Sequence, residues 1–241
     1  SETGPLNMEA LPMNKMNGQS YGYLVYSTSA VIAQTGSTLM IRGHVRDMAQ
    51  VIVNGELVTQ PYGNGVHTNS FGFWNGRDKS ITVTGNGTEA DINILVENLG
   101  RVNFGQPHMF VEKKGLWEGN VLIDRERVNS WKMTPLEFKQ PYIQGLTGWT
   151  AFTGSLSLPA MYRTTLNISD TPNDTFLDMS GWGKGVVFVN GFNLGRYWSE
   201  GPTLTLYVPG PILIKGENEV LVFEQYEAAT KIISTDTPLL G

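Results

Sequence analysis

Apolar and polar residues alternate with a period of two along most of this chain. Ile92, Ile94 and Val96 alternate with Asp91, Asn93, Leu95 and Glu97, and Leu204, Leu206 and Val208 with Thr203, Thr205 and Tyr207. Val220 and Val222 alternate with Glu219, Leu221 and Phe223, and Leu39, Ile41 and Val45 mark a further stretch. Successive side chains of a strand point to opposite faces, so each run predicts a strand with a buried side. No long stretch carries helical periodicity. Short strands with frequent turn residues predict an all-β protein of sandwich or barrel type.

The pattern occurs twice. V-I-V-N-G-E-L (51–57) is echoed by F-V-N-G-F-N-L-G-R-Y-W (188–198), and each phrase is followed by a strand ending in glutamate, at Glu97 and Glu224. Asn-Gly after a β-branched run predicts a type I′ hairpin turn, since both residues accept positive φ. Two tandem β-modules follow, with the boundary near Pro135 to Pro141, where two prolines interrupt regular structure. The segment from Lys113 to Phe138 returns to the first module. The spacing between hairpin and closing strand is longer in the first copy, which places an extra loop at 62–70 or 85–88.

A chain of 241 residues suffices for two such modules. Residues 1–6, with the unpatterned start Ser1-Glu2-Thr3-Gly4, read as a cloning remnant; the modules then occupy 7–136 and 137–241. The net charge of -5 argues against nucleic acid and anionic membranes as partners. The absence of cysteine removes disulfides, thiol nucleophiles and cysteine-ligated zinc. No apolar run reaches the length of a membrane span. Three sequons begin at Asn86, Asn167 and Asn173 and are the glycosylation candidates. A chain with 18 Asn and 36 Ser and Thr supplies about that number by chance.

Several long motifs, in order, resemble the non-catalytic C-terminal region of the family 35 β-galactosidases and animal β-galactosidase-like proteins. They are N-G-Q-S-Y-G-Y-L-V-Y-S-T (17–28), L-V-E-N-L-G-R-V-N-F-G (95–105), K-G-L-W-E-G-N-V-L-I-D (114–124) and S-W-K-M-T-P-L (130–136). G-W-G-K-G-V-V-F-V-N-G-F-N-L-G-R-Y-W (181–198) and the later L-I-K-G-E-N-E-V-L-V-F-E (213–224) complete the set. The resemblance implies two galactose-binding-like jelly rolls that pack on a catalytic (β/α) barrel. It also implies a secreted, cell-surface or lysosomal protein. The barrel and its N-E-N-E motif do not occur in these residues, so no catalytic residue carries over and this chain alone is expected to have no hydrolase activity. The expected role is that of an accessory region that stabilises and shapes such an enzyme. The alternative is a stand-alone carbohydrate- or protein-binding module. The partners in view are a β-galactoside or other glycan, a catalytic barrel, or another protein surface.

Glycosidases need two carboxylates across one cleft. Glu97 and Glu224 close strands in separate modules, so each is expected to accept hydrogen bonds from a neighbouring loop, with Arg101 and Arg196 as loop anchors. Asp124 and Glu126 fall on one face of a strand but form no evident acid–base pair. His44, His67 and His108 are scattered and predict no metal site, and no cofactor is expected; a calcium site of loop carbonyls stays open. The G-x-G patterns at 63–65 and 85–87 precede no helix and predict no phosphate site. Aromatic residues are the remaining candidates, because a sugar stacks its apolar face on Trp or Tyr. Trp74 and Trp117, with Asn75 and Arg77, are the preferred sugar contacts. Trp182, Tyr197 and Trp198 are read as structural or interface residues.

Overall fold

The computed structural model describes residues 4–59, 71–154, 159–202 and 204–240. The loop at 62–70, His67, the G-x-G at 63–65 and Thr203 lie outside them. The contacts divide the chain into two compact units, Ser1–Glu137 and Phe138–Gly241. Each is a sandwich of antiparallel sheets.

The first unit contains β1 (Tyr23–Val31), β2 (Ser37–Arg46), β3 (Met48–Val53), β4 (Glu56–Leu57), β5 (Arg77–Val83) and β6 (Glu89–Glu97). These are followed by β7 (Gly115–Trp117), β8 (Val121–Ile123), β9 (Glu126–Arg127) and β10 (Lys132–Leu136). One sheet has the order β10-β1-β6-β3-β4; the other runs β5-β2-β8-β9, with β7 also paired to β2. The alternating residues of the sequence fill the space between them: Leu39, Ile41, Val51, Ile92, Ile94, Val96 and Val121 are at most 3% exposed. Burial of such side chains stabilises the unit by roughly 1.5–3 kcal/mol each before the entropy of ordering is counted.

The second unit contains a short helix α1 (Gln140–Gln144) and then β11 (Ala160–Ile168), β12 (Thr175–Asp178), β13 (Lys184–Val189) and β14 (Phe192–Trp198). β15 (Thr205–Val208), β16 (Gly216–Glu224) and β17 (Ile233–Thr235) complete it. Its sheets are β11-β16-β13-β14 and β15-β12-β17. Every residue of β13 is buried. Val187 and Val189 face the inner core, whereas Phe188 packs with Phe223 and Phe138 on the opposite side. Cover on both faces explains why G-V-V-F-V does not alternate.

Both Asn-Gly hairpins form. Asn54 and Gly55 have φ of 50° and 83°, Asn190 and Gly191 of 51° and 79°, as a type I′ turn requires. A third turn of this kind joins β8 to β9 through Asp124 and Arg125, at φ 50° and 74°. Asp124 is therefore a turn residue and shares no strand face with Glu126. Its carboxylate accepts the Thr38 N–H at 2.8 Å.

The prolines at the boundary also differ from expectation. Pro135 lies inside β10, an edge strand, opposite Leu24. An edge position tolerates a residue with no N–H to donate. Pro141 is the second residue of α1, in the first turn, where the N–H groups have no partner in the helix. Neither interrupts a regular element. Leu6 also belongs to the first unit: its carbonyl accepts the Tyr26 hydroxyl at 2.8 Å, and its side chain packs on the core. Glu137 is tied to the same unit by Asn14, which donates to its carboxylate at 2.9 Å.

Candidate functional site

The β2–β3 connection, β7 and the loop after β6 surround a cavity of about 620 Å³ in the first unit. Its floor is ionic. Lys114, 2% exposed, donates to both oxygens of Asp47 at 2.8 and 3.0 Å and reaches Glu112 at 3.3 Å. Arg46 donates to Glu112 at 2.7 Å. A buried charge is tolerated only when paired and hydrogen-bonded, and this chain of four charges meets that condition. Asp47 also accepts the Leu99 N–H at 2.7 Å, so the network fixes the start of the loop after β6. Gly115 follows Lys114 at φ 92°; a Cβ there would lie 2.3 Å from the Tyr26 hydroxyl.

The walls are aromatic. Trp117 stands opposite His44 across the β2–β7 pair, and the Arg46 guanidinium lies 5.8 Å from its ring centroid. Trp74 is 44% exposed, and its carbonyl accepts a hydrogen bond from Arg46. Arg77 donates to Glu118 at 2.9 Å and lies 3.0 Å from His44 Nε2. Burial, followed by the charges of Arg46 and Arg77, holds the His44 ring below its usual pKa and so favours its neutral form.

Of the preferred sugar contacts, Trp74 and Trp117 line this one cavity. Arg77 joins it through Glu118, and Asn75, next to Trp74 in sequence, has a buried side-chain oxygen with no hydrogen-bond partner among the described residues. His44 and His108 also line the cavity and are not scattered as their spacing suggests. Among the described residues no group of three or more His, Asp or Glu is arranged to hold a metal. The cavity carboxylates are held by cations, Asp47 by Lys114, Glu112 by Arg46 and Lys114, and Glu118 by Arg77. Such pairing suits a fixed scaffold.

The loop after β6 presents an apolar rim. Phe104 is 89% exposed, Val111 65% and Phe110 51%, with Met109 and Leu99 also at the surface. Sequence reasoning singled out neither this rim nor the Lys114 network. The rim had a signal, an M-F-V run with no strand periodicity. The network had none, because Lys114 resembles any surface lysine until Asp47 is brought opposite it.

The remaining expected sites lie elsewhere. Glu97 accepts the Tyr23 hydroxyl at 3.3 Å. Glu224, fully buried, accepts the N–H groups of Gly183, Lys184, Tyr226 and Glu227 and the Tyr197 hydroxyl at 2.7 Å. A carboxylate with these donors ties loops together. Arg101 pairs with Glu9, and Arg196 lies in strand β14 opposite Val186. Trp182 is buried with Nε1 donating to the Lys231 carbonyl, and Lys184 Nζ lies 5.0 Å from the Trp198 ring centroid. Asn86, Asn167 and Asn173 are all exposed.

Comparison with known proteins gives two matches to family models. The model described as β-galactosidase, first all-beta domain, matches residues 5–137, and that described as β-galactosidase, galactose-binding domain, matches 159–218. The human protein β-galactosidase-1-like protein 2 is 42% identical over 239 residues, covering 98% of this chain and 34% of that protein. Human β-galactosidase-1-like protein 3 is 37% identical, covering 98% and 33%. β-Galactosidase 17 of Arabidopsis thaliana is 35% identical, covering 93% and 33%. The chain thus spans about a third of the length of these curated relatives. The matched domains are non-catalytic, and this chain alone holds no catalytic barrel.

Proposed function

The chain belongs to the β-galactosidase family, and from that membership we propose that it is an accessory region that docks on a catalytic (β/α) barrel and stabilises it. The observation that carries this reading is the uncovered rim of Leu99, Phe104, Met109, Phe110 and Val111 beside a rigid ionic floor. An apolar patch framed by polar residues marks a protein contact more often than a solvent face, and Phe and Met are enriched at such contacts.

Two measurements test it. The purified chain should turn over no chromogenic β-galactoside; turnover abolished by one carboxylate substitution overturns the non-catalytic reading. A barrel of this family added in trans should co-elute with the chain on size exclusion and fail to do so with a Phe104→Ser/Phe110→Ser variant. Co-elution that is indifferent to the variant removes the rim from the argument. Family membership also supports a secreted, cell-surface or lysosomal location.

A second reading is glycan binding, favoured by the galactose-binding domain match over 159–218. In the first unit its contacts would be Trp74 and Trp117, with Asn75 and Arg77 beside them. Titration of the chain with galactose and methyl β-galactoside, followed by tryptophan fluorescence, tests it; the absence of any change up to roughly 10 mM counts against it.

A further inference from the structure

His44 stands where three strands of the first unit meet. The β2–β5 register shifts between Ile41 and His44, which leaves one extra residue in β2 at Arg42 and Gly43. This bulge sets His44 opposite Arg77 of β5 on one side and Trp117 of β7 on the other. Gly43 takes φ 75°, and a Cβ there would lie 2.4 Å from the Trp117 carbonyl oxygen. One nitrogen of Arg77 serves two partners: Nη1 lies 3.0 Å from His44 Nε2 and 2.9 Å from Glu118 Oε2. A guanidinium only donates, so neutral His44 accepts at Nε2 and carries its own proton on Nδ1. The same Glu118 oxygen is 3.7 Å from His44 Nε2, and the Trp117 ring centroid is 6.0 Å from that of His44.

We propose that His44 is the sensor of an acid-operated switch, in which protonation of its ring expels Arg77 from Glu118 and hands that carboxylate to His44. A proton taken from solvent onto Nε2 turns the acceptor into a donor. Two N–H groups and two like charges then face each other across 3.0 Å, and Arg77 must leave. Glu118 Oε2 is the acceptor both cations need, and His44 is only about 0.8 Å short of hydrogen-bond distance to it. Trp117 offers the imidazolium a ring face as well. Arg77 falls back on Asp78, 3.6 Å from its Nε, a carboxylate that is fixed by the Gly43 N–H and shared with Arg42. The remaining charges around His44 do not compete. Arg46, on the same strand, is held by Glu112, Asp47 and Lys114 hold each other, and Arg101 is held by Glu9. His108 lines the same cavity from the loop after β6. Burial, then Arg46 and Arg77, keep the His44 ring below its ordinary value of about 6.5, against the opposing pull of Glu118 and the Gly76 carbonyl. The exchange therefore falls on the acidic side of neutrality, and below it the cavity wall carries one more positive charge.

The test is a pH titration of the whole chain followed by NMR of the histidine rings and arginine guanidinium groups, with His44→Gln to identify the His44 ring signals. The Nη signals of Arg77 should be separate while Nη1 is held and should merge at the midpoint of the His44 ring titration. In His44→Gln, which keeps an acceptor and cannot charge, they should stay separate. Arg77→Ala should raise the His44 midpoint, because it removes a neighbouring cation, and Glu118→Gln should lower it, because the imidazolium loses its anion. Arg77 and Glu118 side chains are 55% and 40% exposed, so neither variant threatens the fold. Arg77 signals that ignore the His44 titration, or that still merge in His44→Gln, overturn the switch. A His44 midpoint unmoved by Glu118→Gln does so as well.

Discussion

The side-chain oxygen of Asn190 accepts the backbone N–H of Glu219 at 3.0 Å. Asn54 makes the same bond to Asp91 at 2.9 Å in the other unit. In each case the asparagine N–H also donates to the carbonyl of the same closing-strand residue. The asparagine of each V-N-G phrase thus has two tasks: it takes up the positive φ of the hairpin, and it clamps the strand that closes the sheet. Replacing Asn190 with alanine removes its side-chain bonds, including those to Ile212 and Asn218, and puts at positive φ a residue that tolerates it less well than asparagine. The expected loss is about 2–4 kcal/mol. Asn190→Gly should cost about 1 kcal/mol less, because glycine relieves the strain. Urea unfolding of both variants checks this; equal losses would show that the clamp alone matters.

Lys114 is the cation on which the cavity floor depends. Lys114→Met leaves Asp47 and Glu112 with less compensation in a buried place, and a destabilisation of about 3–5 kcal/mol is expected. Because Asp47 also holds the Leu99 N–H, limited proteolysis should cut faster between residues 99 and 111 in this variant. Cleavage at the original rate would mean that the loop is held by other contacts.

Asp124 gives a pH dependence with a definite sign. The Thr38 N–H, and then the Ser37 side chain, hold its carboxyl below the usual carboxylate pKa. Its contribution to stability is therefore present above about pH 4 and is lost as the pH falls through the lower folded value. Asp124→Asn should flatten the fall of the thermal midpoint as the pH drops below about 4. An unchanged slope would place the acid sensitivity on other carboxylates.

The sequons differ in their surroundings. Asn86 lies between β5 and β6, its oxygen accepts the Thr88 N–H and hydroxyl, and a side chain at Gly87 would meet nothing within 4 Å. Asn173 is followed by Asp174, which holds Tyr207 and Gly210, and by Thr175, whose hydroxyl is engaged with Ser234 and Thr235. When the chain is produced through a secretory host, Asn86→Gln should therefore remove more glycan mass than Asn173→Gln. Intact-mass measurement before and after enzymatic deglycosylation decides between them.

How much of this was legible in the sequence depends on whether the signal is local. Strand positions came from two-residue periodicity, as at Ile92, Ile94 and Val96, and the hairpins came from Asn-Gly. The Asp124-Arg125 turn escaped because its residues lack the glycine that usually marks positive φ. Pro135 misled because its effect depends on whether the strand lies at an edge, which is a tertiary property. Trp74 and Trp117 stand out in the sequence by their polar neighbours, and the fold brings both to one cavity. Asp47 and Lys114 are 67 positions apart, and only the β2–β7 pairing brings them together.

The rim at Phe104 has a consequence for how the chain behaves at high concentration. An apolar ridge as exposed as this is a site of mutual adhesion, and a net charge of -5 provides only weak repulsion to oppose it. Concentrated solutions of the chain should scatter light as attractive colloids do, with a negative second virial coefficient that grows in magnitude as salt screens the charge. The Phe104→Ser/Phe110→Ser variant should move that coefficient toward repulsion.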